Sequence, residues 1–218
     1  MSTTNFGDPT VDRKQVMMVG EHAWQAQSAK AYKRLMNQMK KSHTLVIDSK
    51  LQRVMDKMIP HTLIYHPNAS EWQWEINAQL SGVLNASSFA GGKILINTGL
   101  YWKLELTEDE IAFVVAHEMA HALLEHSREK ISASLFLGSL PTYLSHGISQ
   151  KWLHEIEADH LALELMRKAG IDANAASTFF EKFANETEHR RHSQVKQPLM
   201  SSDFMHYRRQ IIASALAS

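Results

Sequence analysis

Apolar positions recur along this chain at helical spacing, then at strand spacing, then at helical spacing again. From Val16 to Lys41 a stripe of Ala23, Ala26, Tyr32, Leu35, Met36 and Met39 predicts a long helix packed on a core. Asp48 to Ile59 predicts a second helix, stopped by Pro60. Between Leu63 and Asn97 the period shortens. Trp72-Gln73-Trp74-Glu75-Ile76 alternates, and Lys93 to Asn97 is a short apolar run behind the Gly91-Gly92 turn, so a small sheet is expected. Helical spacing returns at Thr107-Glu108-Asp109-Glu110, a capping box in which hydroxyl and carboxylate each take the other residue's amide. Lys151 to Ala169 reads as a helix closed by Gly170, Asp172 caps the next, and Asp203 to Ala217 forms the last. Between His121 and Glu155 there is room for one helix end, a hairpin-like excursion and the entry to the next helix. No internal repeat or low-complexity tract interrupts this order.

The helix beginning at Thr107 carries the chemistry. Val114, His117, His121 and Leu124 fall on one line, with Ile111, Val115, Glu118 and Ala122 beside it, so two histidines and a glutamate lie on the buried side. Burying them among Val, Ile and Leu costs several kcal/mol unless partners satisfy them, and a shared metal ion satisfies all three. His117-Glu118-Met119-Ala120-His121 has the spacing that lets two histidines hold one metal while the glutamate works on its water. The pattern alone would arise in about one shuffled chain in twenty of this composition, so its context has to carry it. Core histidines bonded to backbone carbonyls are the plain alternative.

A catalytic zinc needs a third protein ligand and an open position. His154-Glu155-Ile156-Glu157-Ala158-Asp159 supplies candidates. Glu155 lies in line with Ala158, Ala162 and Leu165, whereas Glu157 shares its line with Glu164 and Lys168, a solvated face. Glu155 is therefore the expected ligand and His154 its rival. Asp159, one turn on, is placed to accept a hydrogen bond from the far nitrogen of a ligating histidine. An amphipathic helix that these polar residues merely decorate is the alternative.

Three patches in order resemble the M48 metallopeptidases, a family that includes bacterial envelope peptidases and mitochondrial Oma1-type enzymes. Asn85-Ala86-Ser87-Ser88-Phe89-Ala90-Gly91-Gly92-Lys93-Ile94-Leu95-Ile96-Asn97-Thr98-Gly99-Leu100 is similar to the family's Asn-Ala stretch, Gly-Gly turn, apolar strand and Thr-Gly-Leu. His117 to His121 follows, then Glu155 with Ala158-Asp159 matching the family's Glu-x-x-Ala-Asp. The resemblance spans about residues 80 to 172. It implies an α+β, predominantly helical zincin-type (gluzincin) domain with a small sheet before the metal helix. It also implies one Zn2+ per chain held by His117, His121 and Glu155, with Glu118 as catalytic acid/base. Lys151-Trp152 stands where relatives carry Ser-Arg, and Ala90 where they carry Pro. Near the C-terminus the family's Ser/Thr-His-Pro aligns with Ser201-Ser202-Asp203, so its histidine is missing, and His206 is the candidate to replace it. The arginine that follows aligns with Arg208, which implies a role at the oxyanion; Arg208 and Arg209 as surface charges on a final helix is the competing reading.

Length and composition fit one catalytic unit. At 218 residues and 44% hydrophobic the chain can bury a sizeable core. Residues 1-42 are expected to form an N-terminal arm and long helix packed on a catalytic domain, 43-218. Twenty-three basic against 23 acidic residues give no concentrated positive field, which argues against nucleic acid or an anionic membrane as partner. The one dense polar run, Glu188-His189-Arg190-Arg191-His192, reads as solvated. Without cysteine there is no disulfide, thiolate ligand or thiol nucleophile. Met1 to Pro9 has neither basic start nor apolar run, so as written the chain is not exported. The resemblance instead implies the periplasm or cell envelope, as a mature form whose full-length counterpart is a lipoprotein in some relatives; the cytoplasm is the alternative. Ile131 to Leu144, the longest apolar stretch, holds Gly138 and Pro141 and is too short to cross a bilayer, though it could touch a membrane or cover the cleft.

The mechanism implied is zinc-assisted hydrolysis of peptide bonds, Glu118 moving the proton from water to leaving amine. If Lys93, Ile94, Leu95 and Ile96 form the sheet edge lining the cleft, substrate adds there as a strand through backbone bonds, which selects extended or unfolded protein. Asn85 is the candidate to bond substrate or oxyanion, against a plain turn asparagine. Two other classes compete: a latent or non-catalytic zinc protein acting as a chaperone-like or partner-binding module, and a metal-free helical interaction module.

Overall fold

The computed structural model describes residues 2–4, 13–137, 142–192 and 202–217. The architecture is α+β and predominantly helical, with a small sheet between helical layers. Two short strands, β1 (Ser2–Thr4) and β2 (Arg13–Gln15), pair antiparallel at the N-terminus. Residues after β2 run extended over later parts of the chain, Met18 and Val19 donating backbone N–H to Ser132 and Arg128 donating to the Val19 carbonyl. Helix α1 (Glu21–Lys41) therefore starts at extended Gly20, later than the apolar stripe suggested. Ala23 and Ala26 are exposed, and the buried stripe is Tyr32, Met36 and Met39.

Helix α2 (Ser49–Met58) is capped by Asp48, whose carboxylate accepts from the Lys50 amide. Pro60 does not stop the chain's winding. It opens a 3-10 helix, Ile59–Ile64, where the first turn needs no N–H from it. The Trp72 to Ile76 alternation begins its strand three residues late: β4 is Glu75–Gln79, and Trp72 and Trp74 pack as a ring pair ahead of it. Gly92, at φ +81°, admits that packing, since a Cβ there would sit 2.8 Å from the Trp74 ring.

The remaining strands are β3 (Leu45–Val46), β5 (Ala86–Phe89) and β6 (Lys93–Asn97), in order β3-β4-β6-β5. β6 matches the expected Lys93 to Asn97 but lies inside the sheet, parallel to β4 and antiparallel to β5. This corrects the expected edge. Neighbours occupy both sides of Lys93, Ile94, Leu95 and Ile96, and the outer strand is β5. Leu95 faces α1 with Tyr32, Met36 and Met39, while Ile94 and Ile96 join the main core with α2 and the helices that follow.

Helix α3 (Thr98–Lys103) leads to α4 (Glu108–Leu123), whose capping box is complete: Thr107 Oγ1 accepts from the Glu110 amide and Glu110 from the Thr107 amide. α4 is buried on nearly all sides, so its histidines do not occupy a distinct buried face; they occupy the part left partly open by α6. The excursion after His121 is helical: α5 (His126–Leu137), then α6 (Thr142–Lys168), which starts nine residues before Lys151. Gly138 and Pro141 lie outside the described residues, as does Ser201. α7 (Ala175–His192) and α8 (Ser202–Ala217) pack against α4 and α6. Among the described residues no helix is long and apolar enough to cross a membrane.

Candidate metal centre

α4 and α6 form the most extensive helix pair, and at their crossing His117, His121 and Glu155 converge. His117 Nε2 lies 3.0 Å from His121 Nε2 and 3.4 Å from Glu155 Oε2, and His121 Nε2 lies 3.8 Å from Glu155 Oε1. A tetrahedral ion with ligands at about 2.0–2.1 Å separates them by about 3.3 Å, so this triangle has the right edge length. Histidine nitrogens with one carboxylate oxygen are also a donor set that zinc accepts.

Each far nitrogen also has a close neighbour. His117 Nδ1 sits 2.9 Å from Asp159 Oδ1, and Asp159 is buried under Arg208, which donates Nε and Nη2 to it at 2.7 Å each. Arg208 Nη1 also reaches Glu155 at 3.1 Å. The two arginines of α8 thus divide. Phe204, Arg208 and Ile212, one turn apart each, are buried, and the guanidinium lies 5.0 Å from the Phe180 ring. Arg209 is exposed beside Glu181. The surface-charge reading therefore holds for Arg209 and fails for Arg208. The donors of Arg208 grip the carboxylates of Asp159 and Glu155. His206 is exposed and bonded to Gln210, so it does not replace the missing histidine.

Electrostatics follows from burial and from these pairings. Burial opposes charge on His117, but Asp159 and Glu155 override it and raise the ring to about 9. Burial and the charge of His117 lower His121 to about 3. Burial raises Glu118 to about 7, against the pull of His117. Burial would also raise Glu155, yet His117 and Arg208 hold it well below the ordinary carboxylate range. Glu118 is 8% exposed, and Ser88 on the outer strand β5 favours its charged form, so this carboxyl and the sheet edge meet at the triad. Beside them a cavity of about 310 Å³ is lined by Ser88, His121, Lys130, Gln150 and Glu155 among others. Asn85 is exposed and donates to Ser87 in the turn before β5.

Two sequence readings of α6 change. Glu157, expected on a solvated face, is fully buried, because Arg13 of the N-terminal arm reaches it from 144 residues away at 2.7 and 3.0 Å. His154, the rival ligand, points away from the triad and bonds Glu129 at 3.0 Å. His126 went unnoticed in the sequence. It follows Glu125, whose left-handed backbone (φ 52°) ends α4 and swings the next ring back until its Nδ1 lies 2.8 Å from His121 Nδ1.

The sequence profile of Peptidase family M48 matches residues 47–152, which hold His117, Glu118 and His121 and stop three residues short of Glu155. The chain is 31% identical over 160 residues to the mitochondrial metalloendopeptidase OMA1 of Schizosaccharomyces pombe, covering 58% of this chain and 46% of that one. It is 25% identical over 178 residues to a putative beta-barrel assembly-enhancing protease of Vibrio cholerae, covering 69% and 36%. To the metalloprotease LoiP of Escherichia coli it is 28% identical over 131 residues, covering 50% and 51%. Its matches thus span about half or less of these relatives. With the histidine pair inside the profile match and a carboxylate completing the triangle, this chain is similar to peptidase family M48 over residues 47–152.

Proposed function

We propose that the chain is a zinc-dependent endopeptidase that hydrolyses peptide bonds of extended or misfolded protein. The carrying observation is the triangle of His117, His121 and Glu155 at metal-ligand spacing with buried Glu118 beside it. The names of its relatives, metalloendopeptidase and protease, support the same reading. Zinc, when held by these three residues, supplies Lewis acidity toward a water and the scissile carbonyl.

The remaining work belongs to the chain. Glu118 takes the proton of the attacking water on its carboxylate and returns it to the leaving amine, and burial raises its carboxyl above the ordinary carboxylate range, which favours both transfers. Arg208 keeps Glu155 and Asp159 in place, and Asp159 fixes His117. Substrate adds as a strand to the outer edge of β5, Ala86–Phe89, which takes the role expected of Lys93 to Ile96. Strand addition reads backbone and not side chain, which selects extended chains. Asn85, in the turn leading into β5, is placed to touch such a strand. On this reading residues 43–218 carry the chemistry and 1–42 brace it, and the compartment is the cell envelope, a reading that the resemblance to bacterial envelope peptidases supports.

Zinc content and cleavage of denatured casein, on the wild type and Glu118→Gln, test the proposal. One zinc in both, with cleavage reduced by a factor of about 10² to 10⁴ in the variant, is the expected result. Zinc without cleavage by either protein would make this a zinc-binding module, and a wild type without metal would sink the reading.

A further inference from the structure

Beside the triad lies a second buried polar cluster made by His126 and Glu129 of α5, His154 and Glu157 of α6, and Arg13 and Gln15 of β2. His126, His154 and Glu157 come close enough together to suggest another metal site. Arg13 argues against it: it donates Nε and Nη2 to Glu157 at 2.7 and 3.0 Å and Nη1 and Nη2 to Glu129 at 2.5 and 2.7 Å. A guanidinium already fills the space and neutralises the charge that a divalent ion would need.

The hydrogen bonds of the cluster run in one direction. To offer a metal its Nε2 lone pair, neutral His121 must carry its proton on Nδ1. That proton points at His126 Nδ1, 2.8 Å away, which then has to be the acceptor. His126 therefore holds its own proton on Nε2 and donates it to Glu157 Oε2 at 3.0 Å. Glu157 in turn is fixed by Arg13. Each nitrogen in this chain has a compatible partner, and the opposite proton arrangement would put the His121 proton where the metal belongs.

We propose that His126 is a positioning residue that sets the tautomer and ring angle of the metal ligand His121, and that Arg13 of the N-terminal arm anchors it through Glu157. The inference rests on the zinc-peptidase reading. It makes the two ligating histidines alike in construction: His117 leans on Asp159 and Arg208 from α6 and α8, His121 on His126, Glu157 and Arg13 from α5, α6 and the arm. Residues 13–15 thereby become part of the site, although they lie more than a hundred positions before either ligand.

Zinc affinity is the readout, measured on the full chain by competition with a chromophoric chelator. His126→Phe keeps a flat ring to stack on His154, now 4.1 Å away and 9° from parallel, and removes both hydrogen bonds. His126→Gln restores an acceptor toward His121 and a donor toward Glu157. The expected result is one zinc in every protein, with affinity down ten- to a hundredfold in His126→Phe and largely recovered in His126→Gln. Should His126→Phe fail to fold, His126→Asn makes the same comparison, since its amide is too short to touch both partners. Wild-type affinity in His126→Phe or His126→Asn would overturn the relay and leave the peptidase reading standing. Two zinc ions in the wild type falling to one in the variant would overturn it in favour of a second metal site. A wild type that binds none would remove the reading on which it rests.

Discussion

Setting Glu118 and Gln15 aside, these two buried clusters have the same inventory: two histidines, two carboxylates and one arginine. In the first, Arg208 spends two donors on Asp159 and one on a single oxygen of Glu155, and the rings of His117 and His121 meet edge to face at 81° with their Nε2 atoms 3.0 Å apart. In the second, Arg13 spends paired donors on both Glu129 and Glu157, and the rings of His126 and His154 lie parallel, each Nε2 directed to a different carboxylate. The first cluster leaves three lone-pair donors converging on one point; the second is closed upon itself. What separates three converging donors from a closed network is therefore where the arginine sits and how the rings are turned, not which residues are present.

The strongest way to break that comparison is to remove a ring from each side. His121→Ala should lower zinc affinity by more than about a hundredfold, since even an outer partner is worth ten- to a hundredfold. His117→Ala should do the same. If both variants kept stoichiometric zinc at wild-type affinity, the ligand assignment would fall.

The arginines differ in what can replace them. Arg13→Leu leaves Glu129 and Glu157 buried without their shared cation, and removing one member of such a pair costs about 3–5 kcal/mol. Arg208→Leu should cost a comparable amount in metal-free protein but less with saturating zinc, because binding at Glu155 restores a positive charge there. Urea unfolding with and without zinc checks this: a loss at Arg13 that zinc also repairs would mean the second cluster takes metal.

How much of this was visible beforehand depends on the distance between partners. The capping box at Thr107, strand Lys93–Asn97 and the His117/His121 pair were legible because each rests on residues within a turn or a pleat of one another. Arg208 could have been chosen over Arg209 from the line of Phe204, Arg208 and Ile212, a stripe at steps of four. Glu157 could not. A helical wheel sees α6 alone and places Glu157 with Glu164 and Lys168, while its burial is decided by an arginine from the other end of the chain. Nor does any local signal tell an inner from an outer strand, so Lys93–Asn97 reads as the edge that β5 supplies. His126 was hidden by the left-handed turn at Glu125, which no glycine or asparagine announces.

Acid sharpens the comparison further. Burial pushes the Glu129 carboxyl up, but Arg13 and His154 override it and hold it at about 2, with Gln15 also bonded and Glu157 repelling from α6. A folded value below the ordinary 4.5 means that this group's stabilisation is complete above about pH 4.5 and is lost as pH falls towards 2. The full loss amounts to about 3 kcal/mol in the wild type, of which about 2 falls above pH 3. In Arg13→Leu the largest opposing pull disappears, so this part of the acid dependence should shrink. Urea midpoints at pH 6, 4 and 3 would show it; identical pH profiles in the two proteins would mean that Arg13 does not hold Glu129 charged.

The smallest expected effect falls on His154, and it separates the two clusters most finely. His154 neighbours Glu155 in sequence and stacks on His126, so proximity alone would make it matter to the metal. Its hydrogen bond goes to Glu129, however, and Glu129 keeps Arg13 and Gln15 when His154 is gone. His154→Phe should retain the stacked ring, cost about 1 kcal/mol for the lost bond and leave zinc affinity within about threefold of wild type. An affinity loss as large as that of His126→Phe would show that ring packing, and not the directed bond from His121, sets the ligand; an unchanged affinity beside a weakened His126→Phe would trace the coupling to the one nitrogen that faces His121.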